Sequence, residues 1–281
     1  MTPAAGYGAG SARTIAGATE PAWSPDGKTI AFVGYAPSGV LALYVINADG
    51  SGARRLTGDR SGHAGWPTWS PDGKRLAFES HPGIAVVNVD GTRMRRIAAP
   101  AAWPDWGPGG RKIAFGDGVD RQSDVHVVNP DGSGRETVAE ADTEHSLEHP
   151  TWSPRGRELA FHAREAPDLG SRVETFLGAV SSYLGKVRRV RIGQAAEPDW
   201  SPAGGRIAFT EVTFGADTLN ARIGVLNLRT GAARLLHSGW HPRWSPDGRR
   251  IVFADGAYAA DRASGIYVMN ADGSGVRQLT S

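Results

Sequence analysis

The 281-residue chain contains no cysteine, which excludes a disulfide framework, a thiol nucleophile and Cys-ligated zinc or iron–sulfur centres. It also lacks a charge of one sign, since 31 Lys and Arg stand against 29 Asp and Glu for a net +2. A nucleic-acid surface needs a clustered positive excess, so that balance argues against one. No stretch approaches the roughly 18 uninterrupted apolar residues of a membrane span. Met1 to Gly10 is rich in small residues, with neither a basic start nor an apolar core, and does not read as a secretory signal. No G-x-S-x-G elbow, P-loop or dinucleotide fingerprint occurs, which leaves serine hydrolysis and nucleotide binding without support.

What is abundant is turn-forming residue, with 38 Gly and 18 Pro, and this directs attention to repeats. A Trp followed by Ser-Pro-Asp-Gly, or a close relative, recurs at Trp23, Trp69, Trp106, Trp152, Trp200 and Trp244, with spacings of 46, 37, 46, 48 and 44 residues. Each copy leads into a short apolar run ending in Phe, from Ile30-Ala31-Phe32 to Ile251-Val252-Phe253. A third run, such as Tyr44-Val45-Ile46-Asn47, is usually followed by Asp-Gly and then by a strand such as Arg54-Arg55-Leu56-Thr57. Asp-Gly between β-type runs is a hairpin signal because Gly accepts positive φ.

The expected unit is therefore four antiparallel strands, with a period matching a propeller blade. The expected fold is all-β, a six-bladed propeller in one domain over residues 18–281. Residues 1–17 form a lead-in whose Arg13-Thr14-Ile15-Ala16 resembles an extra outer strand. The C-terminal Arg277-Gln278-Leu279-Thr280 follows its own hairpin and is assigned to the last blade, where loop closure costs least. The recurrent Trp and Phe residues read as inter-blade packing, and the Asp-Gly aspartates Asp49, Asp90, Asp131 and Asp272 as turn formers. The basic, alternating run from Lys186 to Arg191 suits an outermost strand.

Pro-Ala-Trp23-Ser-Pro-Asp-Gly, Pro-Thr-Trp69-Ser-Pro-Asp-Gly and Pro-Arg-Trp244-Ser-Pro-Asp-Gly, with Asn-Ala-Asp-Gly-Ser-Gly at 47–52 and 270–275, resemble the TolB-type (WD40-like) β-propeller repeat family. The resemblance implies the propeller fold, and for function a protein-binding module, a peptidase accessory domain or, in a related lyase group, a metal-dependent enzyme. It also implies the cell envelope or secretion as compartment. TolB proteins carry an N-terminal α/β domain that has no counterpart in this sequence.

Function is sought on the face with variable loops, where seven histidines are expected, with only His126 inside a strand. Three residues before each Trp, and each followed by Pro, stand Glu20, Trp66, Trp103, His149, Glu197 and His241. Their equivalence places them around one mouth of the central channel, half ionisable and half aromatic. Three readings remain open at this point: polar lining of a water-filled channel; a recognition site for a peptide segment or small ligand; and a divalent-metal site using His149, His241, Glu197 and Glu20. The corresponding functions are a binding module or, as the alternative, a metal-assisted lyase or hydrolase. No nucleic-acid partner is expected. A monomer is expected, because a closed ring buries its core without a partner.

Overall fold

Strand-forming runs and Gly-containing turns alternate through the computed structural model, which describes residues 15–118, 123–142, 145–165, 176–181, 187–191, 195–214, 219–255 and 264–280. Its 24 strands, β1–β24 in chain order, pair into six sheets of four antiparallel strands, each sheet built from consecutive strands. The innermost strands are β1 (Thr19–Trp23), β5 (Ala64–Trp69), β9 (Ala102–Trp106), β13 (His145–Trp152), β17 (Ala195–Trp200) and β21 (Trp240–Trp244). These touch in a closed cycle, each meeting the next and β21 meeting β1. The second strands are β2 (Thr29–Tyr35), β6 (Arg75–Ser80), β10 (Ile113–Gly116), β14 (Glu158–Glu165), β18 (Arg206–Phe214) and β22 (Arg250–Asp255).

The repeated turn explains why the first two strands pair. In the first copy, Asp26 Oδ1 accepts the Ser24 hydroxyl at 2.6 Å and the Lys28 N–H at 3.0 Å, while Gly27 supplies a φ of 68°. The Asp-Gly hairpins use the same chemistry: Asp49, Asp90, Asp131 and Asp272 each accept the N–H and hydroxyl of a Ser or Thr two residues on. Those aspartates are turn formers, as their sequence context implies.

Packing lies between blades. Phe32, Phe78, Phe115, Phe161, Phe209 and Phe253 are all fully buried. Trp69 joins the cluster containing Ala22 and Ala31 of the first blade, and its indole N–H donates to Ala22 O at 3.0 Å. Trp23 joins Val252 and Ala254 of the last blade, with the Arg250 guanidinium 4.8 Å above its ring. Burying one such side chain contributes on the order of 2–3 kcal/mol.

The ends meet without sharing a strand among the described residues. β24 (Arg277–Gln278) pairs with β23 (Gly265–Asn270), as the C-terminal hairpin implies. Leu279 packs into the cluster of the first blade, and Arg277 donates to Ala48 O and Asp49 O, both at 3.0 Å. Arg13 and Thr14 lie outside the described residues. Ile15 and Ala16 are in no strand; Ala16 O accepts the Tyr35 N–H at 2.9 Å and Ile15 lies against Gly34. Of the basic run, residues 187–191 form β16 (Val187–Arg191), an outermost strand, and Lys186 lies outside the described residues.

One expectation requires correction. Of the seven histidines expected in loops, His145, His149, His162, His237 and His241 lie in strands. The strands of the later blades extend further than the apolar runs show: β13 and β14 have 8 residues each, and β18 and β19 (Leu219–Asn227) have 9 each. Polar residues beyond the core continue the ladder because neighbouring strands satisfy their backbone groups.

Candidate functional site

The six residues before proline share one backbone conformation. Glu20, Trp66, Trp103, His149, Glu197 and His241 have φ between 47° and 57°, and Arg93 is the only other described non-glycine residue with positive φ. Each sits at a break in the pairing of the innermost strand with its neighbour, such as that between Thr19 and Ala22 or between Glu148 and Thr151. Proline lacks an N–H, so the X-Pro pair drops out of the ladder as a bulge. A side chain held at such φ costs about 1–3 kcal/mol unless its surroundings compensate.

The compensation comes from the preceding blade. Trp66 N–H donates to Glu20 Oε2 at 2.7 Å, Trp103 N–H to Glu79 Oε1 at 2.7 Å, and His241 N–H to Glu197 Oε2 at 3.0 Å. Glu197 N–H approaches His162 Nδ1 at 3.5 Å. A second tier repeats the device one turn of the pattern further on. Trp106 N–H donates to Thr68 Oγ1 at 3.2 Å, Trp152 N–H to Asp105 Oδ2 at 2.7 Å, and Trp244 N–H to Asp199 Oδ2 at 2.7 Å. Arg243 pairs with Asp199 at 3.2 Å.

The side chains converge across the axis. Trp66 of the second blade packs edge-on against His149 of the fourth, at 4.3 Å between centroids, and against His241 of the sixth, at 4.6 Å. Trp103 stacks on one face of His149 at 4.7 Å, and His162 stacks at 4.8 Å with planes 23° apart. The mouth is therefore filled by Trp66 between two histidines, and the four ionisable residues do not face one another across open space. Trp66 and Trp103 stay partly exposed.

Burial and pairing set the charges. Burial alone would push Glu197 up and His241 down, but their mutual attraction reverses both, so that each shifts toward its charged form, with Nδ1 2.9 Å from Oε1, off the line of the ring N–H. Burial raises Glu20, against the pull of His241. Burial and the neighbouring Glu20 push Glu79 up to about 8. Asp105 is raised to about 6 by burial, opposed by Arg243. His149 is held well below the usual imidazole value by burial, then by the nearby His162 and His241. Neither of its ring nitrogens has a hydrogen-bond partner.

The metal donors expected from sequence are not brought into one group. Glu197 and His241 bind each other and Glu20 turns to Trp66 N–H. Among the described residues, ligand atoms come within 4.8 Å of one another in two other sets: Glu148, His149 and His162, and Asp117, Asp124 and His126. Sequence reasoning missed Glu79 and Thr210, whose hydroxyl donates to Glu197 Oε2 at 2.7 Å, and counted His162 only among the loop histidines, although all three directly follow the Phe that ends the second apolar run. Asp105, Asp199 and Arg243, likewise missed, directly precede the repeat Trp.

Four-stranded blades in a closed ring of innermost strands define a β-propeller. The family model for the TolB beta propeller domain matches residues 9–176, more than half of the chain, and the chain belongs to that family. No curated protein matches it in sequence. Among solved structures it is similar to TolB from Acinetobacter baumannii, with 18% identity and a TM-score of 0.70 over 88% of this chain and 62% of that one. The chain thus spans under two thirds of that protein's length. A putative TolB from Agrobacterium tumefaciens is 20% identical, with a TM-score of 0.69 over 91% of this chain and 90% of that one. An oligogalacturonate lyase in complex with manganese is 14% identical, with a TM-score of 0.60 over 92% and 90%. At these identities the likeness is one of fold. No described helix is long and apolar enough to cross a membrane.

Proposed function

We propose that this propeller is a binding module that takes a peptide segment or a small ligand at the channel mouth formed by Glu20, Trp66, Trp103, His149, Glu197 and His241. The observation that carries the reading is Trp66, partly exposed yet held edge-on between His149 and His241. Two partly exposed indoles offer an apolar face, and the Glu197–His241 pair beside them supplies oriented charge. Concave recognition sites combine these two elements. The strained backbone at all six positions fits a preorganised surface, since strain persists where the surrounding structure over-determines it. The ring serves as a monomer, because its blades bury one another.

Selection of a random peptide library on the immobilised full chain, followed by calorimetry on the selected peptides, tests the proposal. Binding should fall at least tenfold in Trp66→Ala and in Trp103→Ala. Selected peptides that bind wild type and both variants equally well would place recognition elsewhere on the ring. A lyase or hydrolase activity is the alternative, and it requires a metal site.

A further inference from the structure

We infer that Glu148, His149 and His162 form a binding site for a divalent transition-metal ion at the inner edge of the fourth blade. The site differs from the sequence-derived donor set, and it stands whether or not the mouth binds peptides.

Glu148 and His149 are consecutive on β13, and in a regular strand their side chains would point to opposite faces. The bulge, with φ 52° at His149, re-aims that side chain toward the side of Glu148. His162 on β14 stands directly opposite Glu148 in the strand register. The three ligand atoms consequently lie within 4.8 Å of one another.

His162 Nε2 is 3.2 Å from Glu148 Oε2. Two donors bound to one ion at about 2.0–2.2 Å stand roughly 3.0 Å apart at a right angle and roughly 3.4 Å apart at the tetrahedral angle. The observed spacing is thus already an edge of a coordination polyhedron. The other Glu148 oxygen is held from outside, by the Ser146 hydroxyl at 3.1 Å and Arg164 Nε at 3.2 Å, which leaves Oε2 directed inward. Outer hydrogen bonds of this kind orient a ligating carboxylate.

The observation pointing to a ligand is His149. Both of its nitrogens are buried and without a hydrogen-bond partner, while Trp103 and His162 cover its ring faces. Leaving buried polar atoms unpaired is costly, and an ion on the imidazole lone pair removes that cost at one of the two nitrogens. The Asp117, Asp124 and His126 set lacks such a feature: His126 already meets Asp117 at 3.1 Å and Thr137 at 3.0 Å, and Asp124 accepts Ala141 N–H at 2.7 Å. Two imidazoles and one carboxylate favour zinc, cobalt, nickel or copper over calcium, magnesium or manganese, which prefer oxygen ligands. On loading, the His162 ring proton moves from Nε2 to Nδ1. The 3.5 Å contact from Glu197 N–H is then the bond that opens.

Zinc binding to the full chain is measured by calorimetry and equilibrium dialysis at pH 7.5, with Co²⁺ as the optical probe. The expected result is about one ion per chain, and visible Co²⁺ bands reporting mixed nitrogen and oxygen donors. Glu148→Gln and His149→Ala should each weaken zinc at least tenfold and erase the bands, with His126→Gln binding as wild type. Circular dichroism melts check folding, and the isosteric Glu148→Gln decides if His149→Ala unfolds. Absence of stoichiometric zinc in the folded wild type overturns the inference, as does loss of zinc in His126→Gln with retention in Glu148→Gln.

Discussion

Glu20 accepts the backbone N–H of Trp66 at 2.7 Å, across the boundary between the first and second blades. Truncating Glu20→Ala leaves that N–H without its acceptor, at a cost of about 1–3 kcal/mol. For a chain of this size, each kcal/mol corresponds to about 2–4 °C in Tm. Glu20→Gln keeps a carbonyl oxygen and should lose less. Thermal melts of the two variants check this, and equal losses would show that the bond contributes nothing.

Glu79 gives a pH signature. Its folded value of about 8 lies above the ordinary 4.5, so the neutral acid is the form that the fold favours. The stability associated with it is fully present below about pH 4.5 and is lost as pH rises through about 8. Wild type should therefore lose Tm between pH 5 and pH 8, and Glu79→Gln should flatten that slope. A variant with the wild-type slope would assign the dependence to other groups.

The second tier separates hydrogen bonding from charge. Asp105→Asn keeps an oxygen for Trp152 N–H and removes a buried charge, so it should be neutral or stabilising at pH 7.5, whereas Asp105→Ala should cost about 1–3 kcal/mol. Arg243→Ala leaves Asp199 buried without its cation and should cost about 3–5 kcal/mol. Urea unfolding at constant m-value measures all three. An Asn variant as damaged as the Ala variant would refute the distinction.

Ring closure rests on the last residues. Leu279→Ala should cost about 2–4 kcal/mol, because Leu279 packs into the core of the first blade. Arg277→Ala should cost under about 1 kcal/mol, since its two bonds are solvent-exposed. Chemical denaturation ranks the pair, and the reverse order would move the closure from packing to the guanidinium.

Blade units were legible in the sequence because they are local. Ser-Pro-Asp-Gly and Asp-Gly turns satisfy themselves within two to five residues, as Asp26 does with Ser24 and Lys28. The six residues before proline were legible for the same reason, as a register within one repeat. Their left-handed backbone was not, because it depends on acceptors from another blade, such as Glu79 for Trp103. The histidines were misplaced because strand length beyond the apolar run is set by the neighbouring strand.

The sequence by itself determined the repeating strand–turn unit, the buried Phe and Trp positions, the pairing of the C-terminal hairpin and the six equivalent positions at the mouth. Each follows from turn chemistry and apolar periodicity inside about 45 residues. Only the tertiary structure decided that Trp66 lies between His149 and His241, that Glu197 pairs with His241, and that His149 joins Glu148 and His162. Those contacts join side chains across the ring axis, between blades or around a bulge, where curvature and backbone strain, and not spacing along the chain, set which atoms meet.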